Sequence, residues 1–223
     1  MIQIEPAIVA ADLCRLGVQA VEAEAAGVES LQVDVIDGHF LPNITVGPGT
    51  VKALRSLVHI KINVHLMTNE PERFIQKFID SGADRIIIHF ESCSRIRETI
   101  AKIRTQNVSA GIALMPDTSV DSIRDFLNLI DYIQILTADP MAEGSIFIDT
   151  QLEKIQYLDK IVEEYQSEIK IGADGGIDAH SAPELVKAGA DVLVIGRNIY
   201  QQSGPVFQNI NKINDAIEKA LLQ

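Results

Sequence analysis

Residues 26–35 read AGVESLQVDV, and the same grammar returns at 81–90, SGADRIIIHF, and at 187–196, KAGADVLVIG. Each copy sets a glycine suited to a helix C-cap a few residues before a short β-branched run, so each reads as helix end, tight turn and buried strand. Amphipathic segments lie between such runs, among them 13–25, 48–57, 71–81, 95–105, 119–129, 151–165 and 180–188, most opened by Ser, Thr, Asp or Pro. Candidate strands at 4–9, 30–35, 59–66, 85–90, 110–115, 132–136, 169–173 and 192–195 make eight. Runs of this kind separated by helices pair in parallel and are covered on both faces, and eight such units close into a (β/α)8 barrel. A doubly wound open sheet is the runner-up, but neither GxGxxG nor GxxxxGK[ST] follows the first strand. No Pro/Ser/Gly-rich linker, charge block or low-complexity tract interrupts the chain, so 1–223 is expected to be a single α/β domain, a TIM barrel.

The 223 residues are 47% hydrophobic, ample for a continuous core, and carry a formal net charge of −12. That charge argues against a phosphate-tracking nucleic-acid surface and against an anionic membrane surface, both of which need basic patches. The first residues, MIQIEPAIVAADL, contain no basic stretch ahead of an apolar one, and no apolar run approaches the ~18 residues of a membrane span. A cytoplasmic protein acting on small molecules is therefore expected, assembled as a homo-oligomer. Cys14 and Cys93 are the only cysteines, without CxxC or finger-like histidines, and both are expected to be free, partly buried thiols.

The strand at 30–35 gives the chemistry its position. Alternation sends Leu31, Val33 and Val35 to one side and Gln32 and Asp34 to the other, after which the chain breaks into Asp37, Gly38, His39 and Pro42. In a parallel barrel functional groups gather where strands end at the C-terminal rim, so Gln32 and Asp34 should point into the mouth. Lys61, Asn63 and His65 share a parity on strand three, strand seven ends in Asp174-Gly175-Gly176, and strand eight ends in Ile195-Gly196-Arg197-Asn198. Singly, each has an ordinary reading: Asp34 as a cap, His65 as a hydrogen-bonded core histidine, Asp174 as a turn residue. Jointly, two carboxylates and an imidazole of inward parity at three strand ends form a site for a divalent metal.

With these residues in place the chain resembles the ribulose-phosphate 3-epimerase family over essentially its whole length, most specifically in VDVIDGHFLPNITVGP (33–48), VHLM (64–67) and ADGGI (173–177). The resemblance implies a (β/α)8 barrel in which a divalent metal and two aspartates interconvert sugar phosphates at C3. It implies Asp34 and Asp174 as acid/base pair and metal ligands, His65 as a ligand, and Met67 against the substrate. Gly175, Gly176 and Gly196 are implied as the backbone cradle of a phosphate. The departures are specific. Gln32 stands where the family has His, Ala7 and Ala10 where it has serines, Leu136 where it has Met, and DPMAEGS (139–145) where it has a glycine-rich loop. Gln32 is thus expected to be a weak ligand or to orient Asp34, with Zn, Mn or Fe bound at partial occupancy. Arg197 is expected to hold the phosphate in place of the altered loop, while Glu143 turns outward. Expected activity is C3 epimerisation of a ketose phosphate of the ribulose 5-phosphate/xylulose 5-phosphate type. Open alternatives are a barrel lyase or decarboxylase on a sugar phosphate, an epimerase for a non-phosphorylated or unusual ketose, and a non-catalytic sugar-binding homologue.

Overall fold

The computed structural model describes residues 2–142, 144, 146–165 and 168–222. Eight strands run in parallel: β1 (Gln3–Pro6), β2 (Ser30–Ile36), β3 (Lys61–Met67), β4 (Arg85–His89), β5 (Ser109–Leu114), β6 (Tyr132–Leu136), β7 (Lys170–Asp174) and β8 (Val192–Ile195). The sheet order is β1-β8-β7-β6-β5-β4-β3-β2, and a parallel bridge between Ala7 and Gln32 brings its two edges together. The result is a nearly closed (β/α)8 barrel in one domain.

The outward row of each strand is apolar and fully covered. Leu31 and Val33 of β2, Ile62 and Val64 of β3, and Ile86 and Ile88 of β4 are all buried against the surrounding helices. Truncating one of these to Ala would remove about 2–5 kcal/mol of stability. The helical layer consists of α1 (Leu16–Ala25), α2 (Pro48–Arg55), α3 (Ile75–Asp80), α4 (Ile96–Arg104), α5 (Thr150–Glu164), α6 (Ser181–Lys187), α7 (Arg197–Tyr200) and α8 (Val206–Leu221). None is long and apolar enough to cross a membrane.

Several expectations change in detail. The first strand ends at Pro6, because Ile8–Ala10 wind into a 3-10 turn closed by Ala11 N–H donating to the Ile8 carbonyl. The segment at 119–129 is a 3-10 helix, Val120–Leu129, capped where the Ser119 hydroxyl accepts from Asp121 N–H. Strand eight stops at Ile195, so Arg197 and Asn198 belong to the first turn of α7. Cys93 is buried as expected, whereas Cys14 is exposed.

The barrel interior holds a small apolar cluster, Ala7, Ile87, Ala113, Tyr132, Val192 and Val194. Tyr132 spans it only because β7 has a glycine opposite: a Cβ at Gly172 would lie 1.8 Å from the phenolic oxygen. Beside the tyrosine is a sealed polar floor. Glu5 is wholly buried and accepts hydrogen bonds from Ser30 Oγ at 2.5 Å and Asn63 Nδ2 at 2.6 Å. Burial raises its pKa, opposed by the Arg85 guanidinium, which itself lies 4.1 Å from the centre of the Tyr132 ring.

Candidate active site

The C-terminal rim of the barrel opens into a cavity of about 1100 Å³. Strands β2, β3 and β7 bring Asp34, His65 and Asp174 to its base, with potential ligand atoms all within 4.8 Å of one another. His65 Nδ1 lies 3.1 Å from Asp34 Oδ1 and 3.6 Å from Asp174 Oδ2. The register explains the meeting of the first two, since Asp34 pairs directly with His65 across β2 and β3. Asp174 arrives from the far side of the sheet order, carried by the curvature of the barrel.

Two glutamines complete this group. Gln32 Nε2 donates to Asp34 Oδ1 at 2.7 Å and to Asp174 Oδ2 at 2.8 Å. Gln134 Nε2, from β6, donates to the same Asp174 oxygen at 2.7 Å and approaches His65 Nδ1 at 3.1 Å. Both side chains are fully buried, and both leave their amide oxygens without a hydrogen-bond partner. Gln32 therefore orients Asp34 in the form described, through its amide nitrogen. Sequence reasoning does not reach Gln134; the available signal is a lone amide of inward parity in YIQIL, 132–136.

A second relay that the sequence does not announce fixes the chemistry of His65. Burial, resisted by the Glu91 contact, holds the His89 imidazole down to about 4, so it is neutral. Glu91 is partly desolvated, but hydrogen bonds from His89 and Thr118 hold its carboxyl down to about 2. The ionised Glu91 Oε2 thus accepts from His89 Nδ1–H at 3.0 Å, leaving His89 Nε2 as an acceptor. His65 Nε2 sits 2.9 Å from that nitrogen and must donate to it. With Nε2 so engaged, Nδ1 is the ring nitrogen that faces Asp34 and Asp174, the position from which a metal ligand would act. This convergence of two carboxylates and an imidazole nitrogen, beside orphaned amide oxygens, fits a divalent cation.

Asp174 is pushed upward in pKa, first by burial and then by the charge of Asp34. The other oxygen of each carboxylate, Asp34 Oδ2 and Asp174 Oδ1, has no hydrogen-bond partner among the described residues, and both aspartates line the cavity. Asp37 does different work in the conspicuous DGHFLPN stretch. Despite the desolvation it suffers, backbone N–H donors from Phe40, His39 and Asn69 hold its carboxyl below the usual range, which shapes the loop after β2.

Around the cavity lie Met67, Leu136, Ala7, Ala10, Gly175, Gly176, Gly196 and Arg197. Gly175 and Gly176 take φ of 118° and 68°, in the region that favours glycine, and a Cβ on Gly175 would meet Ala138 N at 2.9 Å. Arg197 reaches across the mouth from α7, and its Nη2 donates to the Gly144 carbonyl in the loop after β6. Glu143, the expected neighbour of Arg197, lies outside the described residues.

Known proteins resemble this chain in sequence and in fold. Residues 3–200 match the model of the ribulose-phosphate 3 epimerase family. Ribulose-phosphate 3-epimerase of Bacillus subtilis is 38% identical over 204 residues, covering 91% of this chain and 94% of that one. The chloroplastic ribulose-5-phosphate-3-epimerase of Arabidopsis thaliana is 37% identical over 199 residues, 88% of this chain and 71% of the other. Among solved structures, 3-hexulose-6-phosphate synthase from Salmonella typhimurium superposes with a TM-score of 0.75 at 16% identity, covering 98% and 100% of the two chains. KGPDC from Streptococcus mutans gives the same score and identity over 98% of each chain. The last two likenesses speak for the barrel alone. The matched family model and the full-length relatives go further: this chain belongs to the ribulose-phosphate 3-epimerase family, enzymes of the isomerase class.

Proposed function

We propose that this protein is a metal-dependent epimerase that inverts C3 of a ketose phosphate of the ribulose 5-phosphate/xylulose 5-phosphate type. The observation that carries the reading is the pair Asp34 and Asp174, which share one hydrogen-bonded ring through one oxygen each and keep the other free beside the cavity.

Inversion next to a ketone needs a base on one face of the carbon and an acid on the other, with roles exchanged in the reverse direction. Two carboxylates from different strands supply this pair. Their environments must differ so that one is ionised while the other carries a proton, and the upward push on Asp174 favours its protonated form. On this reading Asp34 Oδ2 takes the C3 proton in one direction while Asp174 Oδ1 delivers one from the opposite side. Before metal enters, Gln32 holds both carboxylates in place, and the Glu91–His89–His65 relay keeps His65 Nδ1 turned toward them.

Asp34, His65 and Asp174 would hold the metal, of which Zn, Mn and Fe fit the donor set. When bound, such an ion supplies positive charge opposite the negative charge that develops on the ketone oxygen. Met67 and Leu136 would cover the apolar side of the sugar chain. Backbone N–H groups near Gly175, Gly176 and Gly196, together with the guanidinium donors of Arg197 not engaged by Gly144, would hold the phosphate.

The test is a panel of ketoses and ketose phosphates incubated with purified enzyme and followed by NMR. Interconversion of ribulose 5-phosphate and xylulose 5-phosphate is expected. Carbon–carbon cleavage or release of carbon dioxide would move the chain to lyase chemistry, and binding without turnover would make it a non-catalytic sugar-binding protein.

A further inference from the structure

Gln134 has no place in proton transfer at C3, yet it closes a ring. Five polar atoms stand in sequence around the base of the cavity: Gln32 Nε2, Asp34 Oδ1, His65 Nδ1, Gln134 Nε2 and Asp174 Oδ2. The successive separations are 2.7, 3.1, 3.1, 2.7 and 2.8 Å. Adjacent ligand atoms around a six-coordinate ion at about 2.1 Å stand about 3.0 Å apart, so the ring has the dimensions of part of a coordination shell. Its composition is wrong for one only in orientation. The amide groups present N–H, while their buried oxygens, the atoms a cation would accept, have no partner. A half-turn of each amide about its Cγ–Cδ bond exchanges the two ends with almost no change of shape.

We propose that Gln32 and Gln134 are paired, reversible metal ligands: each donates N–H to the acidic ring when the ion is absent, and each turns to present its oxygen when the ion enters. This rests on the reading that Asp34, His65 and Asp174 hold a divalent metal. In the metal-free protein the four amide hydrogens face Asp34, Asp174 twice, and His65 Nδ1, which lets two buried carboxylates coexist without a cation between them. With the ion bound, those hydrogens would point at positive charge, and turning relieves that repulsion while finding a partner for each orphaned oxygen. The completed set is two carboxylates, two amide oxygens and one imidazole. Oxygen-rich sets of five or more suit Mn2+, whereas Zn2+ is content with four ligands including nitrogen or sulfur. Gln134 is thereby a specificity-determining residue that favours Mn2+ relative to Zn2+.

The experiment is calorimetric titration of metal-stripped protein with Mn2+ and Zn2+, in wild type, Gln134→Leu and Gln134→Glu, each first checked for a cooperative melt. Gln134→Leu removes both amide functions, whereas Gln134→Glu keeps an oxygen donor and loses N–H. The expected order of Mn2+ affinity is Glu at least equal to Gln, and Gln tighter than Leu by roughly 10-fold or more, the scale on which supporting groups alter metal affinity. Zn2+ affinity should fall less in Gln134→Leu. Gln32→Glu and Gln32→Leu should repeat the pattern, and they serve if a position-134 variant does not fold. Affinity in the order Gln, then Leu, then Glu would mean that the amides act only as N–H donors, which overturns the proposal. Equal Mn2+ affinity across the series overturns it too, while leaving the three-ligand metal site intact. Absence of any metal binding by the wild type would remove that site and this inference together.

Discussion

Glu5 and Asp174 are both carboxylates inside the same barrel, and their surroundings set them to opposite tasks. Glu5 is wholly buried, its Oε2 held by Ser30 and Asn63 with Arg85 nearby and its Oε1 without a hydrogen-bond partner among the described residues, and it does not line the mouth. Asp174 is likewise hydrogen-bonded, by Gln32 and Gln134, but it retains 17% of its side-chain surface and lines the mouth. A carboxylate sealed away from solvent fixes structure, whereas one that keeps an oxygen open to solvent and substrate can exchange a proton. Position along the barrel axis, more than residue type, separates floor from site.

The contrast breaks most sharply in turnover. Asp34→Asn and Asp174→Asn should each lower turnover by at least ~100-fold, the scale of a lost general acid or base, while leaving the melting transition cooperative. Steady-state assays beside thermal melts read both quantities, and either variant retaining wild-type turnover would end the two-carboxylate account. Glu5→Ala should do the reverse. Leaving the Ser30 and Asn63 donors without their acceptor, and the Arg85 guanidinium without a nearby carboxylate, should cost about 2–4 kcal/mol in urea denaturation, with turnover of the folded fraction unchanged. A stable, inactive Glu5→Ala protein would mean that the floor takes part in chemistry.

A smaller effect is expected at the rim. Arg197→Ala should raise KM for a phosphorylated ketose roughly 10-fold or more, as for a lost charged hydrogen bond, and leave the dephosphorylated analogue nearly unaffected. Equal effects on both would remove Arg197 from the phosphate site. The smallest is the pH response of the relay. The folded Glu91 carboxyl, at about 2 against an ordinary 4.5, contributes stability fully present above pH 4.5 and lost as pH falls toward 2. Because that carboxylate is partly solvated, about 1 kcal/mol is expected between wild type and Glu91→Gln at neutral pH, vanishing at the acid end of the window. A difference that grew on acidification would contradict the assignment.

Much of this arrangement is legible in the chain itself. The repeated glycine-then-strand grammar marks β2, β4 and β8, and short apolar runs between amphipathic segments place the other five strands to within a few residues, because parallel buried strands are short, apolar and bounded by turns. Strand parity places Asp34, His65 and Asp174 at one mouth. What stays hidden is pairing between distant positions. Gln134 lies 69 residues from His65, and a lone amide in YIQIL has no visible partner until β6 curves round to β3. His89 in RIIIH and Glu5 in QIEP are equally solitary in sequence. Arg197 belongs to a short helix whose hold on the loop after β6 depends on tertiary approach, not local pattern.

Central to the proposed chemistry is that two different carboxylates handle the proton on the two faces of C3. Turnover of ribulose 5-phosphate in deuterated water, sampled by NMR before equilibrium, tests it directly. Xylulose 5-phosphate should carry deuterium at C3 from the earliest time point, beside recovered substrate that still carries protium, because the group that takes the proton is not the group that returns one. Early product that retains the substrate's own C3 proton would show a single group serving both faces and would contradict the two-carboxylate mechanism.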